Sequence, residues 1–135
     1  MFTTISIDGI KFNSKAESSF YIYLKQQRDK GKIALIVIHP TTVLQDEFYI
    51  DSKKHAAIMY QHDFYVEYTD GRKAYIDVKE KTDATAALKY RMYLFRQSLL
   101  PEYKRVPLLW VKALKGRWIN FFNCKPIHLW ECSKL

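Results

Sequence analysis

The chain has 135 residues, 48% of them hydrophobic and 16% aromatic, which is enough for one domain with its own core and too apolar for a disordered segment. Lys and Arg outnumber Asp and Glu by 22 to 14, and the formal charge of +8 favours a polyanionic partner, nucleic acid first, over the blander alternative of a merely basic soluble protein. No run of about 18 apolar residues occurs and the N-terminus lacks the basic-then-apolar order of a secretory signal, so no membrane partner and a cytoplasmic location are expected (the host cytoplasm if phage-encoded).

In chain order, a short apolar start from Ile5 to Phe12 precedes "NSKAESSFYIYLKQQRDKGK". That stretch predicts a helix from about Ser14 to Lys30, opened by the S-x-x-E capping box of Ser14 and Glu17 and closed by Gly31, with Arg28 and Lys30 in its last turn. "IALIVIHP" and "TVLQDEFYI" follow as extended segments, and residues 51–60 read as a connecting loop or short turn. "DFYVEYTDGRKAYIDVKEK" holds two β-rich runs around Asp70-Gly71, hence a hairpin.

From Thr82 or Asp83 as N-cap, "ATAALKYRMYLFRQSLL" predicts a second helix stopped by Pro101. Leu88, Met92, Phe95 and Leu99 recur along it at helical spacing, and its other side carries Lys89, Tyr93 and Arg96. "RVPLLWV", "GRWINFF" and "PIHLWE" complete the chain as strands, Pro107 placing the first at an edge or at its own start. The order predicts a single α/β or α+β domain over residues 1–135, with a central mixed sheet flanked by helices.

Cys124 and Cys132 are the only cysteines; they cannot form a disulfide framework and fit a reducing compartment. Cys124, His128 and Cys132 recur every fourth residue, but a structural zinc site usually wants four ligands, and Pro126 interrupts any helix that would align three.

The hairpin carries the chemistry, and its register decides how. Asp63, Tyr65 and Glu67 share one face, as do Tyr75, Asp77 and Lys79. A two-residue loop at Asp70-Gly71 would set Phe64 against Asp77 and put Asp63 on the wrong side. A three-residue loop, Thr69-Asp70-Gly71, with Gly71 left-handed in a bulge, sets Asp63 opposite Asp77 with Cβ atoms about 5 Å apart.

Two carboxylates that close repel each other unless a cation sits between them, and oxygen ligands at about 2.1 Å suit Mg²⁺ or Mn²⁺. Lys79 beside them would stabilise or orient an attacking water. Taken alone, Asp-x-Lys on a strand describes a solvated face, and Glu17 has a sufficient task as a helix cap. Glu17 nonetheless borders the stripe of Phe20, Tyr21 and Leu24 that its helix buries, which aims its carboxylate at the sheet.

An acid early in a first helix (Glu17), an Asp opening a hairpin strand (Asp63), Asp-x-Lys on the partner strand (Asp77, Lys79) and a following helix resemble the PD-(D/E)XK nuclease superfamily. "DGIKFNSKAESSFYIYL", "VLQDEF", "HDFYVEYTDGRKAYIDVKEKT" and "ALKYRMY" are similar, in order and spacing, to small phage and prophage proteins described as Holliday-junction-type resolvases or endonucleases. The likeness covers about residues 8 to 95. It implies a restriction-endonuclease-like core and a metal-dependent phosphodiesterase, with Asp63, Asp77 and Glu17 as metal ligands, Lys79 at the water and Gln45 as a further catalytic position. Lys89 matches a basic position that reaches a phosphate. His62 stands where the superfamily's name has Pro, and Asp46 and Glu80 stand where these relatives more often have Pro and Gly.

The expected activity is hydrolysis of a DNA phosphodiester by a Mg²⁺- or Mn²⁺-dependent endodeoxyribonuclease. Lys15, Lys73, Lys81, Lys89 and Arg96 are the candidate DNA contacts, and plain solvated charge is the alternative for each. No separate sequence-reading module is present, which favours recognition of DNA structure, a branched substrate and a two-fold dimer. The apolar C-terminal part, with Trp110, Trp118, Phe121, Phe122 and Trp130, would supply a dimer interface or an ordinary core. The rival readings are a replication, transposase-like or site-specific endonuclease of the same fold, a non-catalytic basic nucleic-acid-binding domain, and a structural phage protein with an inherited fold.

Overall fold

A computed structural model describes residues 5–127 of the chain. β1 (Ile5–Ile7) and β2 (Ile10–Phe12) form a small hairpin that leads into α1 (Lys15–Asp29). The Ser14 hydroxyl accepts the Glu17 amide at 3.1 Å, and Gly31, at φ +78°, follows the C-cap Lys30 and takes the chain out of the right-handed region. β3 (Ile33–Ile38), β4 (Thr41–Gln45), β5 (Phe48–Ile50), β6 (Lys53–His55) and β7 (Ile58–Gln61) follow, then β8 (Phe64–Tyr68) and β9 (Lys73–Val78). α2 (Ala84–Ser98), capped by Asp83 through the Ala86 amide at 2.8 Å, precedes β10 (Leu108–Leu114) and β11 (Arg117–Asn120).

The central sheet has five strands in the order β11-β10-β9-β8-β3. β9 and β10 run parallel, as the crossover through α2 requires, and the other neighbours are antiparallel. Pro107 sits just ahead of β10, where its missing N–H costs no ladder bond, and its carbonyl accepts the Tyr75 amide at 2.9 Å. The chain is therefore α+β with a mixed central sheet and one helix on each side, compatible with the nuclease-like core that the resemblance implies.

Alternation along the strands makes two separate cores. Phe64, Val66, Ala74, Ile76, Leu109 and Val111 face α1, where Phe20 and Leu24 are fully buried against them. Tyr75, Leu108 and Trp110 face α2 and meet Tyr60 and Tyr93.

Two expectations change here. Residues 51–60 are largely not a connecting loop: they hold β6 and most of β7, which pair with β5 and β4 in two side hairpins. Leu88, Phe95 and Leu99 do not face the core, because Tyr93 takes that side of α2, its hydroxyl donating to the Val106 carbonyl at 2.7 Å. A tyrosine can be buried when its polar tip finds a partner. Of the C-terminal aromatics, Trp110 is core and Trp118 packs edge-on against Phe20 at 4.7 Å. His128, Trp130 and Cys132 lie outside the described residues, as does most of the strand expected at "PIHLWE".

Candidate carboxylate site at the end of the hairpin

The β8–β9 register pairs Phe64 with Ile76, Tyr65 with Tyr75, Val66 with Ala74 and Glu67 with Lys73. One step further it sets Asp63 across from Asp77. The turn is the three-residue loop Thr69-Asp70-Gly71: the Tyr68 amide donates to the Arg72 carbonyl at 2.8 Å, and Gly71 has φ +92°. Only a residue without a Cβ adopts that angle freely, so the glycine sets the register that brings the two aspartates together.

The aspartates clasp each other's strands. Asp77 Oδ1 accepts the Asp63 amide at 2.9 Å, and Asp63 Oδ2 accepts the Val78 amide at 2.8 Å. Asp77 is 2% exposed, and its Oδ2 accepts the hydroxyl of Tyr60, which in turn accepts Trp110 Nε1–H at 3.0 Å. Burial raises the Asp77 pKa against the pull of these donors and of Lys79. Burial, then the carboxylates of Asp77 and Glu17, push Asp63 up to about 7. Burial and the charge of Asp77 likewise raise the Tyr60 phenol, which stays the donor of its bond.

Glu17 reaches the same end of the sheet from α1. Its backbone amide makes the capping bond to Ser14, and its carboxylate turns elsewhere, Oε1 meeting His39 Nε2 at 2.6 Å. His39 has φ +54° and its amide donates to the Asp63 carbonyl at 3.0 Å, so the β3–β4 turn ties Glu17 to Asp63. His62, fully buried, stacks between Tyr60 and Tyr75 with ring centroids at 4.3 and 4.2 Å. Its Nε2 shares a hydrogen bond with Thr42 Oγ1 at 3.1 Å, while Nδ1 has no hydrogen-bond partner among the described residues and lies 3.9 Å from Asp77 Oδ2. Burial, then the charge of Lys79, hold this imidazole down to about 4.

Lys79 lies with Nζ 5.0 Å above the Trp110 ring and lines a recess of about 280 Å³ with Tyr60, Asp83 and Lys89. Lys89 thus shares a recess with Lys79 and with Tyr60, whose hydroxyl donates to Asp77. Lys15, at the start of α1, borders a separate hollow with Glu80 and Trp118, and Lys81 is exposed just after β9. Lys73 is at the opposite end of β9 from Asp77. Gln45 and Arg96 are not brought to the carboxylates: both are exposed and line a groove along α2, where Arg96 donates to the Leu44 carbonyl at 3.3 Å.

Among the described residues no group of three or more His, Cys, Asp and Glu converges as a ready metal cage. The Asp63–Asp77 pair still fits a hard dication, because Mg²⁺ usually keeps several waters and needs only one or two carboxylates from the protein. The upward shift of Asp63, from burial first and then from the charges of Asp77 and Glu17, marks a place where a cation would be stabilising. Tyr60, His39, His62 and Trp110 carry no motif of their own, and only their positions in the fold show that they support the acids.

Fold and site together define a class: an α+β domain with a carboxylate-lysine centre at the end of a mixed sheet. Within it, the chain belongs to the family described as "Protein of unknown function (DUF1064)", which matches residues 2–117. No curated protein and no solved structure matches it.

Proposed function

We propose that this protein is a metal-dependent DNA endonuclease that hydrolyses phosphodiester bonds in branched DNA. The observation that carries the reading is the pairing of Asp63 with Asp77 across the hairpin, with Lys79 two residues on and the Glu17 carboxylate close enough to raise Asp63. Asp63 and Asp77, with Glu17 beside them, would hold the divalent ion. When bound, that ion supplies Lewis-acid polarisation of the phosphoryl oxygen and a lowered pKa for water.

The chain's own groups do the rest. Tyr60 and the Asp63 amide fix both oxygens of Asp77, so the carboxylate is already oriented before substrate arrives. His39 holds Glu17 in the same way. Lys79, kept over the Trp110 ring, offers a compact positive charge to the water or to a phosphoryl oxygen, and Lys89 on α2 offers a second to the neighbouring phosphate. The formal charge of +8 favours approach to a polyanion.

The test is cleavage of end-labelled four-way junction, flap and linear duplex DNA in Mg²⁺ and in EDTA. Metal-dependent cleavage of the junction ahead of the duplex is expected. Preference for one linear sequence would remove the branched-substrate part, and no cleavage of any DNA in Mg²⁺ or Mn²⁺ would remove the nuclease reading altogether.

A further inference from the structure

The apolar stripe of α2 has no partner within the described residues. Leu88, Phe95 and Leu99 are 59%, 61% and 68% exposed, and they look across a groove of about 710 Å³ toward Leu44 and Phe48. Contiguous large apolar side chains are seldom left in water on a monomer. The groove also carries charges of both signs. Asp46 and Glu47, in the β4–β5 connection, form one wall, and Arg91 and Arg96 on α2 form the other. Glu47 is held by Lys54 at 3.2 Å and Arg96 by the Leu44 carbonyl, but Asp46 and Arg91 have no ion-pair partner among the described residues.

We infer that this groove seats a second copy of the same chain, in a two-fold pairing that closes the two grooves on each other. With the two-fold axis running along the groove the walls are exchanged, so the acidic wall of one copy meets the basic wall of the other and Asp46 faces the partner's Arg91. A surface with an acidic and a basic wall is self-complementary under that operation, whereas a partner of one charge sign would satisfy only one wall. The arrangement buries apolar groups at the centre and pairs charges at the rim, which is the usual anatomy of a specific interface. Ile50, exposed on the same face of β5 as Phe48, extends the patch toward the roughly 800 Å² per partner that a stable interface needs. None of the groove's lining residues lines the recess beside Lys79, so the pairing stands apart from the nuclease reading.

Light scattering and sedimentation of the full chain test it. The wild type is expected to be a dimer, and a wild type that stays monomeric at roughly 100 μM, where a specific interface would be saturated, overturns the inference. Phe95→Glu is expected to give a folded monomer with an unchanged circular dichroism spectrum, and a dimer that survives it overturns the assignment to this face. Arg91→Glu is expected to weaken association about tenfold or more. Adding Asp46→Lys to Arg91→Glu restores self-association, and this double variant does not mix with wild type. A single reversal without effect, or a double reversal that recovers nothing, overturns the wall-to-wall pairing.

Discussion

The two faces of one sheet do different work with the same three strands. Toward α1, β8, β9 and β10 present Phe64, Val66, Ala74, Ile76, Leu109 and Val111, with no buried carboxylate or imidazole among the described residues except Glu17 at the margin. Toward α2, the intervening residues include Tyr75, Asp77 and Trp110, and the layer above them contains Tyr60 and His62. An apolar face gains stability in proportion to the area it buries. A buried carboxylate must instead have its lone pairs met by donors, at a cost that burial of apolar groups elsewhere offsets. The α1 face thus holds the fold, and the α2 face uses that stability to keep an acid where water would not leave it.

If the faces are specialised in this way, activity and stability separate by mutation. Asp77→Asn, which keeps the shape and an acceptor for the Asp63 amide, is expected to lower Mg²⁺-dependent cleavage by about 10²–10³-fold, the scale of removing one preorganised electrostatic group, while the thermal midpoint stays level or rises because a desolvated charge is gone. A large fall in the midpoint would show that the acid is structural. On the other face, Phe20→Ala removes a fully buried ring that lies 5.7 Å from Phe64 and 4.7 Å from Trp118, at about 3–5 kcal/mol in urea unfolding. The folded fraction of that variant is expected to cleave at the wild-type rate.

Tyr60→Phe sharpens the contrast, because it keeps the ring and removes only the hydroxyl between Trp110 and Asp77. Supporting groups of this kind are worth about 10- to 100-fold in metal affinity or activity, against about 1 kcal/mol of stability for one hydrogen bond. Mg²⁺ titration followed by the thermal midpoint separates the two. The variant is expected to need more Mg²⁺ for the same stabilisation, and an unchanged requirement would return Tyr60 to plain core.

The half of the site that was legible in the chain is the half written in short-range rules. Period-two alternation and a glycine at the third loop position set Asp63 across from Asp77, and the first helix could be located from Ser14, Glu17 and Gly31. The supporting half depends on non-local pairing. β7 pairs with β4 through an irregular register between Val43 and Gln45, and β5 turns into β6 through Asp51 and Ser52, both left-handed without a glycine to announce it. Tyr60 was therefore hidden in a stretch that reads as loop. His39 is likewise left-handed without a glycine, and its contact with Glu17 spans 22 residues. On α2, helical spacing identified an apolar stripe correctly but not what it faces, since Tyr93 competes for the core once its hydroxyl is satisfied.

His62 offers the finest test of the α2 face, because its titration opposes that of the acids. In the unfolded chain an imidazole titrates near 6.5; in the fold, burial and then Lys79 hold it down to about 4. Its contribution to stability is therefore fully present above pH 6.5 and is lost as pH falls toward 4. Asp63 runs the other way. Its carboxyl is raised from 3.8 to about 7 by burial and by Asp77 and Glu17, so its contribution is present at low pH and is lost as pH rises through 7. Between pH 4 and 6.5 the rise from His62 opposes the falls from Asp63 and from Asp77, which burial also raises, so the metal-free wild type should lose stability with rising pH less steeply than the acids alone would make it. His62→Phe keeps a flat ring between Tyr60 and Tyr75 but has nothing to protonate. Its stability in urea should fall more steeply with rising pH than that of wild type, by up to about 1.4 kcal/mol per pH unit, the limit for one proton. Parallel curves for the two proteins would mean that His62 titrates alike folded and unfolded, and is not held neutral against Asp77.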